Sequence, residues 1–203
     1  MKIRIIALAV GALAIATALA GCVINVGTTG MPGMNHGSGE AEPADVAAAD
    51  EMFVTGMIVH HEQAIEMADL LLGKTGADPD VVRLAERIKA AQGPEIELMK
   101  SWLADWGVDS DMPGMDGMDD MPGMDHGGAM MSDADMAELE GASAQAAPKL
   151  FLEQMIVHHQ GAIVMANGEL AAGRNPDVLA LARRIIEDQT AEIAEMQGML
   201  AKR

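Results

Sequence analysis

The sequence is poor in the residues that stabilise disulfide-bonded domains and β-sheets. Its 203 residues include one cysteine, no tyrosine, two phenylalanines and two tryptophans. A single cysteine excludes an internal disulfide framework, and the shortage of aromatic side chains disfavours a large sheet. The core must therefore consist mainly of Ala, Leu, Ile, Val and Met, which suits closely packed helices.

Positive charge is also scarce. The chain has 13 Lys and Arg residues against 31 Asp and Glu residues, which gives a formal net charge of -18. Nucleic-acid binding depends on basic side chains that neutralise phosphates. We therefore expect no nucleic-acid partner.

The N-terminus has the pattern of a bacterial lipoprotein signal peptide. Two basic residues precede an apolar run from Ile5 to Leu19, which is shorter than the ~20 residues of a membrane-spanning helix. The run ends in Leu19-Ala20-Gly21-Cys22, so the only cysteine stands where such a signal needs the lipidated residue. We predict a signal peptide over residues 1–21 and a lipid anchor at Cys22, which would hold the protein at the cell membrane on its extracytoplasmic side. The alternative is an uncleaved transmembrane anchor.

The rest of the chain divides into two predicted helical hairpins and two irregular segments. Residues 22–44 form a predicted flexible tether rich in Gly, Thr, Pro and Ser. The hairpins are predicted over residues 45–106 and 148–203. Between them, residues 107–147 form a long acidic linker rich in Met, Asp and Gly. A short helix is predicted over residues 132–140 of this linker.

Each hairpin carries the same two motifs. Residues 57–68 read M-x-x-H-H-x-x-A-I-x-M-A, and residues 155–166 repeat this motif. A second motif, Q-x-x-E-I-x-x-M, occurs at residues 92–99 and 189–196. The repetition indicates a duplicated hairpin, and four helices joined pairwise by short loops predict an all-α four-helix bundle.

A helical wheel places the repeated histidines toward the bundle interior. His60 and His61 straddle the apolar stripe that contains Met57, and His158 and His159 repeat this arrangement. A buried histidine is more often a hydrogen-bonded core residue than a ligand, and helical methionines often fill gaps in a core. Two copies that can meet at one interface nevertheless favour a metal site. The candidate ligands in the bundle are Met57, His60, His61, Met67, Met155, His158, His159 and Met165.

The ligand types indicate which metal would bind. Dinuclear iron sites in four-helix bundles use Glu-x-x-His pairs, but Met57 and Met155 stand three residues before His60 and His158. Imidazole and thioether without thiolate favour Cu(I) over iron, magnesium, calcium or zinc. Silver(I) is a second candidate ion.

Methionine is also frequent outside the predicted helices. The phrase Met-Pro-Gly-Met occurs at residues 31–34, 112–115 and 121–124, in segments that are too polar to build a core. Thioethers retain affinity for Cu(I) in an oxidising compartment where thiols would pair. The alternative is a spacer whose methionines are incidental or absorb oxidants. These segments add the candidate ligands Met31, Met34, His36, Met112, Met115, Met118, Met121, Met124 and His126.

With these motifs, the chain resembles domain-of-unknown-function family 305, which comprises exported bacterial proteins with a ferritin-like helical bundle. The resemblance covers about residues 50–103 and 148–200. It departs from the family pattern where Met199 takes the position of Trp102 in the second copy. Some family members are linked to copper binding and copper tolerance, so the resemblance implies copper at the repeated Met and His positions. Whether the bundle or the linker is the main site stays open.

Three functional hypotheses follow from the sequence. The first is a lipid-anchored, extracytoplasmic Cu(I)-binding protein without catalytic residues, which sequesters copper or exchanges it with a copper-delivery partner. The second is a ferritin-like, metal-dependent redox enzyme. The third is a metal-free helical interaction module of the cell envelope, in which the histidines are hydrogen-bonded core residues.

Overall fold

The computed structural model describes residues 46–108 and 130–203, and within these ranges the chain is helical without strands. The predicted all-α, four-helix architecture is confirmed, with one short extra helix in the connection. The predicted signal peptide, Cys22 and the ligands of the tether and linker lie outside the described residues. The helices are α1 (Ala48–Leu72), α2 (Pro79–Asp105), α3 (Asp133–Gly141), α4 (Ala147–Ala172) and α5 (Pro176–Leu200).

The second helix of each hairpin begins with the same cap. Asp78 Oδ1 accepts a hydrogen bond from the Asp80 amide at 2.8 Å, and Asn175 Oδ1 accepts one from the Asp177 amide at 3.0 Å. A proline follows each cap at the first helical position, where its missing N–H costs no helical hydrogen bond. The duplicated sequence therefore folds into duplicated local structure.

The hairpins α1–α2 and α4–α5 pack together through α1 and α4. At the start of α1, the Asp50 carboxylate accepts hydrogen bonds from the amides of Arg174 at 2.9 Å and Asn175 at 3.0 Å, just beyond the end of α4. Near the middle of both helices, the His60 and His158 rings lie 3.7 Å apart between centroids. The two central helices are therefore antiparallel, and α3 packs against both of them.

The core consists of two clusters of buried apolar side chains. They lie on opposite sides of the point where the His60 and His158 rings meet, which is called the histidine crossing. The cluster that includes Leu139 of α3 is called the α3 cluster. The other, against which Trp102 and Trp106 pack, is called the tryptophan cluster. In the part of the chain that the structure describes, no helix is both long and apolar enough to cross a membrane.

Candidate metal centre

The structure brings all four repeated histidines into the interior. His61, His158 and His159 have no exposed surface, and His60 is buried to almost the same extent. The His60 ring is tilted by 36° against the His158 ring across the α1–α4 contact, and the centroids of His158 and His159 are 6.4 Å apart. The predicted interior position of the histidines is thus what the structure shows.

Two carboxylates from the outer helices bond to two of these histidines. Glu95 Oε2 on α2 lies 2.9 Å from His61 Nε2, and Glu192 Oε2 on α5 lies 2.7 Å from His159 Nε2. The histidine side chains are fully buried, whereas the two glutamate side chains are 23 % and 22 % exposed. These glutamates are not among the predicted site residues, although both belong to the repeated Q-x-x-E-I-x-x-M motif.

These contacts indicate the proton positions on His61 and His159. An ionised carboxylate only accepts hydrogen bonds, so Nε2 of each imidazole is the donor and Nδ1 of the neutral ring carries a lone pair. Nδ1 of both rings is buried and has no hydrogen-bond partner within the described residues. A donating nitrogen held by a carboxylate and a second nitrogen with an available lone pair are typical of metal-binding histidines.

His158 has the most unusual environment of the four. Neither of its ring nitrogens has a hydrogen-bond partner in the described parts of the chain. Burial lowers the pKa of His158 well below its ordinary value of 6.5, and the proximity of His60, His159 and His61, which would carry like charge when protonated, lowers it further. The ring is therefore neutral at pH 7 and offers a lone pair. A buried polar group without a hydrogen bond costs about 1–3 kcal/mol, a cost that a bound metal ion would offset.

The predicted thioether ligands flank the histidines on both sides. Met57 and the half-buried Met165 belong to the tryptophan cluster, whereas Met67 and Met155 belong to the α3 cluster. Each cluster therefore receives one of these methionines from each hairpin. Two further methionines, Met99 and Met196, are not among the predicted ligands. Both are fully buried in the clusters and end the second repeated motif.

The donor set limits the metals that these residues can hold. Across residues 46–108 and 130–203, no group of three or more His, Cys, Asp or Glu side chains is placed to hold a metal ion. A carboxylate-bridged iron pair would require such a group. A site built from these histidines therefore needs donors of another kind, and imidazole with thioether suits a soft monovalent ion such as Cu(I).

A second buried polar pair, Asp50 and Glu169, lies at the end of the bundle. Burial, followed by the hydrogen bond and the negative charge of Asp50, raises the pKa of Glu169 to about 7. Burial alone would raise the pKa of Asp50, but hydrogen bonds from the amides of Asn175, Arg174 and Ala47 and from Glu169 lower it. Glu169 is therefore about half protonated near pH 7. The hydrogen bonds of Asp50 tie the start of α1 to the end of α4.

The chain matches the family model described as a domain of unknown function, DUF305, over residues 50–200. A solved putative secreted DUF305 protein from Streptomyces coelicolor is 34% identical, with 76% of this chain and 91% of that chain covered and a TM-score of 0.66. A DUF305 fragment from Deinococcus radiodurans is 32% identical, with 80% and 100% covered and a TM-score of 0.68.

Another similar structure is that of CopM in the Cu(I)-bound form. It is 30% identical, with 75% of this chain and 96% of that chain covered and a TM-score of 0.59. CopM has also been solved in Cu(II)-bound, Ag-bound and apo forms. None of the curated proteins matches this chain.

Proposed function

The chain belongs to the DUF305 family, and we propose that it is a Cu(I)-binding protein that holds the ion in the core between α1 and α4. The observation that carries this proposal is His158. Its ring is neutral and buried, neither ring nitrogen has a partner among the described residues, and methionine side chains lie on both sides of the crossing. A purely structural histidine in such a position would lower the stability of the fold.

The other residues of the centre have distinct roles in this proposal. His158 supplies one imidazole ligand, and the Nδ1 atom of either His61 or His159 is available as a second. Glu95 and Glu192 hold the rings of His61 and His159 and fix their protons on Nε2. Buried methionines supply the thioether ligands that make the site selective for Cu(I) and Ag(I) over Zn(II).

The similar structures support metal binding rather than catalysis. CopM binds Cu(I), Cu(II) and Ag in the solved structures, and it is similar to this chain over most of the bundle. Within the described residues, no group of carboxylate and histidine side chains is placed to hold the metal pair of a dinuclear iron oxidase. We propose that the protein sequesters copper or passes it to a partner.

The substitution His158→Leu tests this proposal. Leucine removes both ring nitrogens. The substitution breaks no hydrogen bond within the described residues, because neither nitrogen has a partner there. We expect the apo variant to retain its free energy of unfolding within about 1.5 kcal/mol, as for a volume-conserving core change. Its Cu(I) affinity, measured anaerobically against a Cu(I) chelator, should fall at least tenfold, and the copper-induced rise in melting temperature should disappear.

The metal-free alternative predicts the opposite result. If the imidazole were a hydrogen-bonded core residue, His158→Leu would destabilise the apo protein by about 1–3 kcal/mol, and the variant would respond to Cu(I) as the wild type does. Val164→Leu, at an exposed position on the same helix, is the control and should change neither quantity.

The N-terminal motif supports a lipid anchor as part of the same proposal. Cys22 follows the apolar run at a lipoprotein-type cleavage site. Cys22→Ala should move the protein from the membrane fraction to the soluble fraction or leave it unprocessed. A wild-type protein that is wholly soluble and still carries residues 1–21 would rule out the anchor.

A further inference from the structure

The two halves of the core differ although the hairpins are repeats. Most buried positions correspond at an offset of 97 or 98 residues, such as Phe53 with Phe151 and Met99 with Met196. The residue type differs at a position near the end of each hairpin, where Trp102 packs on the tryptophan cluster and its counterpart Met199 packs on the α3 cluster.

Methionine is concentrated in the α3 cluster. It contains four buried methionines, Met67, Met131, Met155 and Met196, with Met136 and Met199 packed against it. The tryptophan cluster contains two buried methionines, Met57 and Met99, with Met165 packed against it. Stacked Trp102 and Trp106, 6.4 Å apart, pack on that second cluster. The α3 cluster therefore offers many more thioether groups to a soft ion.

Met131, one of the methionines of the α3 cluster, is held in place by a residue of α1. The Gln63 side chain donates to the Met131 carbonyl at 2.8 Å and accepts from the Met131 amide at 2.8 Å. Gln63 lies one helical turn from both His60 and Met67. The Met131 backbone is thereby fixed against α1 at the turn between His60 and Met67.

A second glutamine holds α3 in the same half of the core. Gln154 Nε2, on α4, donates to the Asp135 carbonyl at 2.9 Å. The repeat positions that correspond to Gln63 and Gln154 are Gly161 and Gly56. At Gly56 an added Cβ would lie 3.1 Å from Cε of Met165. The two glutamines therefore hold the α3 segment in one half of the core. In the other half, the glycine at position 56 leaves room for Met165.

We propose that the soft-ion site lies in the α3 half of the core, where Met131 is a ligand together with Met67, Met155 and Met196. This inference rests on the proposed function and specifies which of the two repeated halves takes the ion. Gap filling by methionine would explain four core thioethers, but it would not require a methionine whose backbone is fixed by two hydrogen bonds. The ligand is a soft monovalent cation, Cu(I) or Ag(I).

Methionine-methyl NMR of the full chain during titration with Ag(I) tests the inference. Ag(I) is a redox-inactive probe, and each methyl group reports on its own sulfur. We expect Ag(I) to shift the methyl signals of Met67, Met131, Met155 and Met196 but not those of Met57 and Met99. Met131→Leu should weaken the binding reported by the remaining three methyls at least tenfold.

Two variants make the result specific. Gln63→Gly copies the residue of the other repeat and should weaken binding as Met131→Leu does, because it releases the Met131 backbone. Met52→Leu, at a position that is 62% exposed, should leave every core signal unchanged. Circular dichroism of each variant checks that the helices are retained.

The outcomes separate this inference from the proposed function. Shifts of the histidine rings together with Met57 and Met99, or wild-type binding by Met131→Leu, would overturn the inference while leaving a metal-binding core. If no methionine or histidine of the bundle responds to Ag(I), the proposed function fails, and this inference fails with it.

Discussion

At the scale of single residues, the core contains histidine ring nitrogens that have no hydrogen-bond partner among the described residues. His158 is the clearest case, because folding removes its ring from water without a compensating hydrogen bond. Buried polar groups in stable proteins are nearly always bonded. An imidazole that breaks this rule beside buried thioethers is best explained by a ligand that completes it.

Glu169 gives a separate residue-scale prediction about pH. Its pKa is raised from 4.5 to about 7 in the fold, so the folded state binds more protons than the unfolded state between these values. The stability that protonated Glu169 contributes is complete below pH 4.5 and is lost as pH rises to about 7. Glu169→Gln, which stays neutral, should therefore gain stability relative to wild type over this range.

The expected difference in free energy of unfolding is about 3 kcal/mol at pH 8 and near zero at pH 4.5, since the pKa rises from 4.5 to about 7 and a tenfold change in an ionisation constant corresponds to about 1.4 kcal/mol. Urea unfolding of both proteins at a series of pH values measures it. Comparison with wild type at each pH cancels the opposite contribution of His158, whose lowered pKa costs stability below pH 6.5. Glu66→Gln, at an exposed position, is the control; a difference that does not change with pH would contradict the raised pKa of Glu169.

At the scale of helices, the inner pair α1 and α4 supplies the histidines, and the outer pair α2 and α5 supplies the carboxylates that orient them. This division of roles predicts the effect of Glu192→Gln. A glutamine amide can donate to Nε2 of His159, which would move the ring proton to Nδ1 and remove the ligand lone pair. Loss of such a supporting carboxylate typically costs 10–100-fold in metal affinity.

We expect Glu192→Gln to lower Cu(I) affinity by about that factor while the helical content stays unchanged, because Glu192 is partly exposed. Competition with a Cu(I) chelator gives the affinity. The variant Glu187→Gln on the same helix, at an exposed position, should bind copper as the wild type does. Equal affinity of Glu192→Gln and wild type would show that the carboxylate does not support a ligand.

The sequence predicted elements better than contacts between them. Helical periodicity placed His60 and His158 in the interior because their burial depends on one helix face, a local property. The bonds from Glu95 and Glu192 depend on how α2 and α5 lie against their hairpin partners, which no single-helix pattern contains. The pairing of Gln63 with Met131 joins residues 68 positions apart, so only the folded chain reveals it.

At the scale of the whole molecule, a duplicated hairpin produces a near-symmetric bundle, and the connection between the copies breaks that symmetry. The described end of this connection packs on the α3 half through Met131 and α3. The preceding methionines of the sequence, outside the described residues, form a second candidate copper site. Replacing Met112, Met115, Met118, Met121 and Met124 by Leu should lower Cu(I) stoichiometry without changing helicity, because their segment is too polar to build a core. An unchanged stoichiometry would make this segment a spacer.

The central claim is that the bundle core itself binds Cu(I). Its most direct test is anomalous X-ray diffraction at the copper edge from crystals of the linker-substituted protein loaded with Cu(I). We expect an anomalous peak between α1 and α4, in bonding contact with a ring nitrogen of His158 and with methionine sulfur. Bound copper with no peak in the bundle, or no bound copper once the linker methionines are replaced, would contradict it.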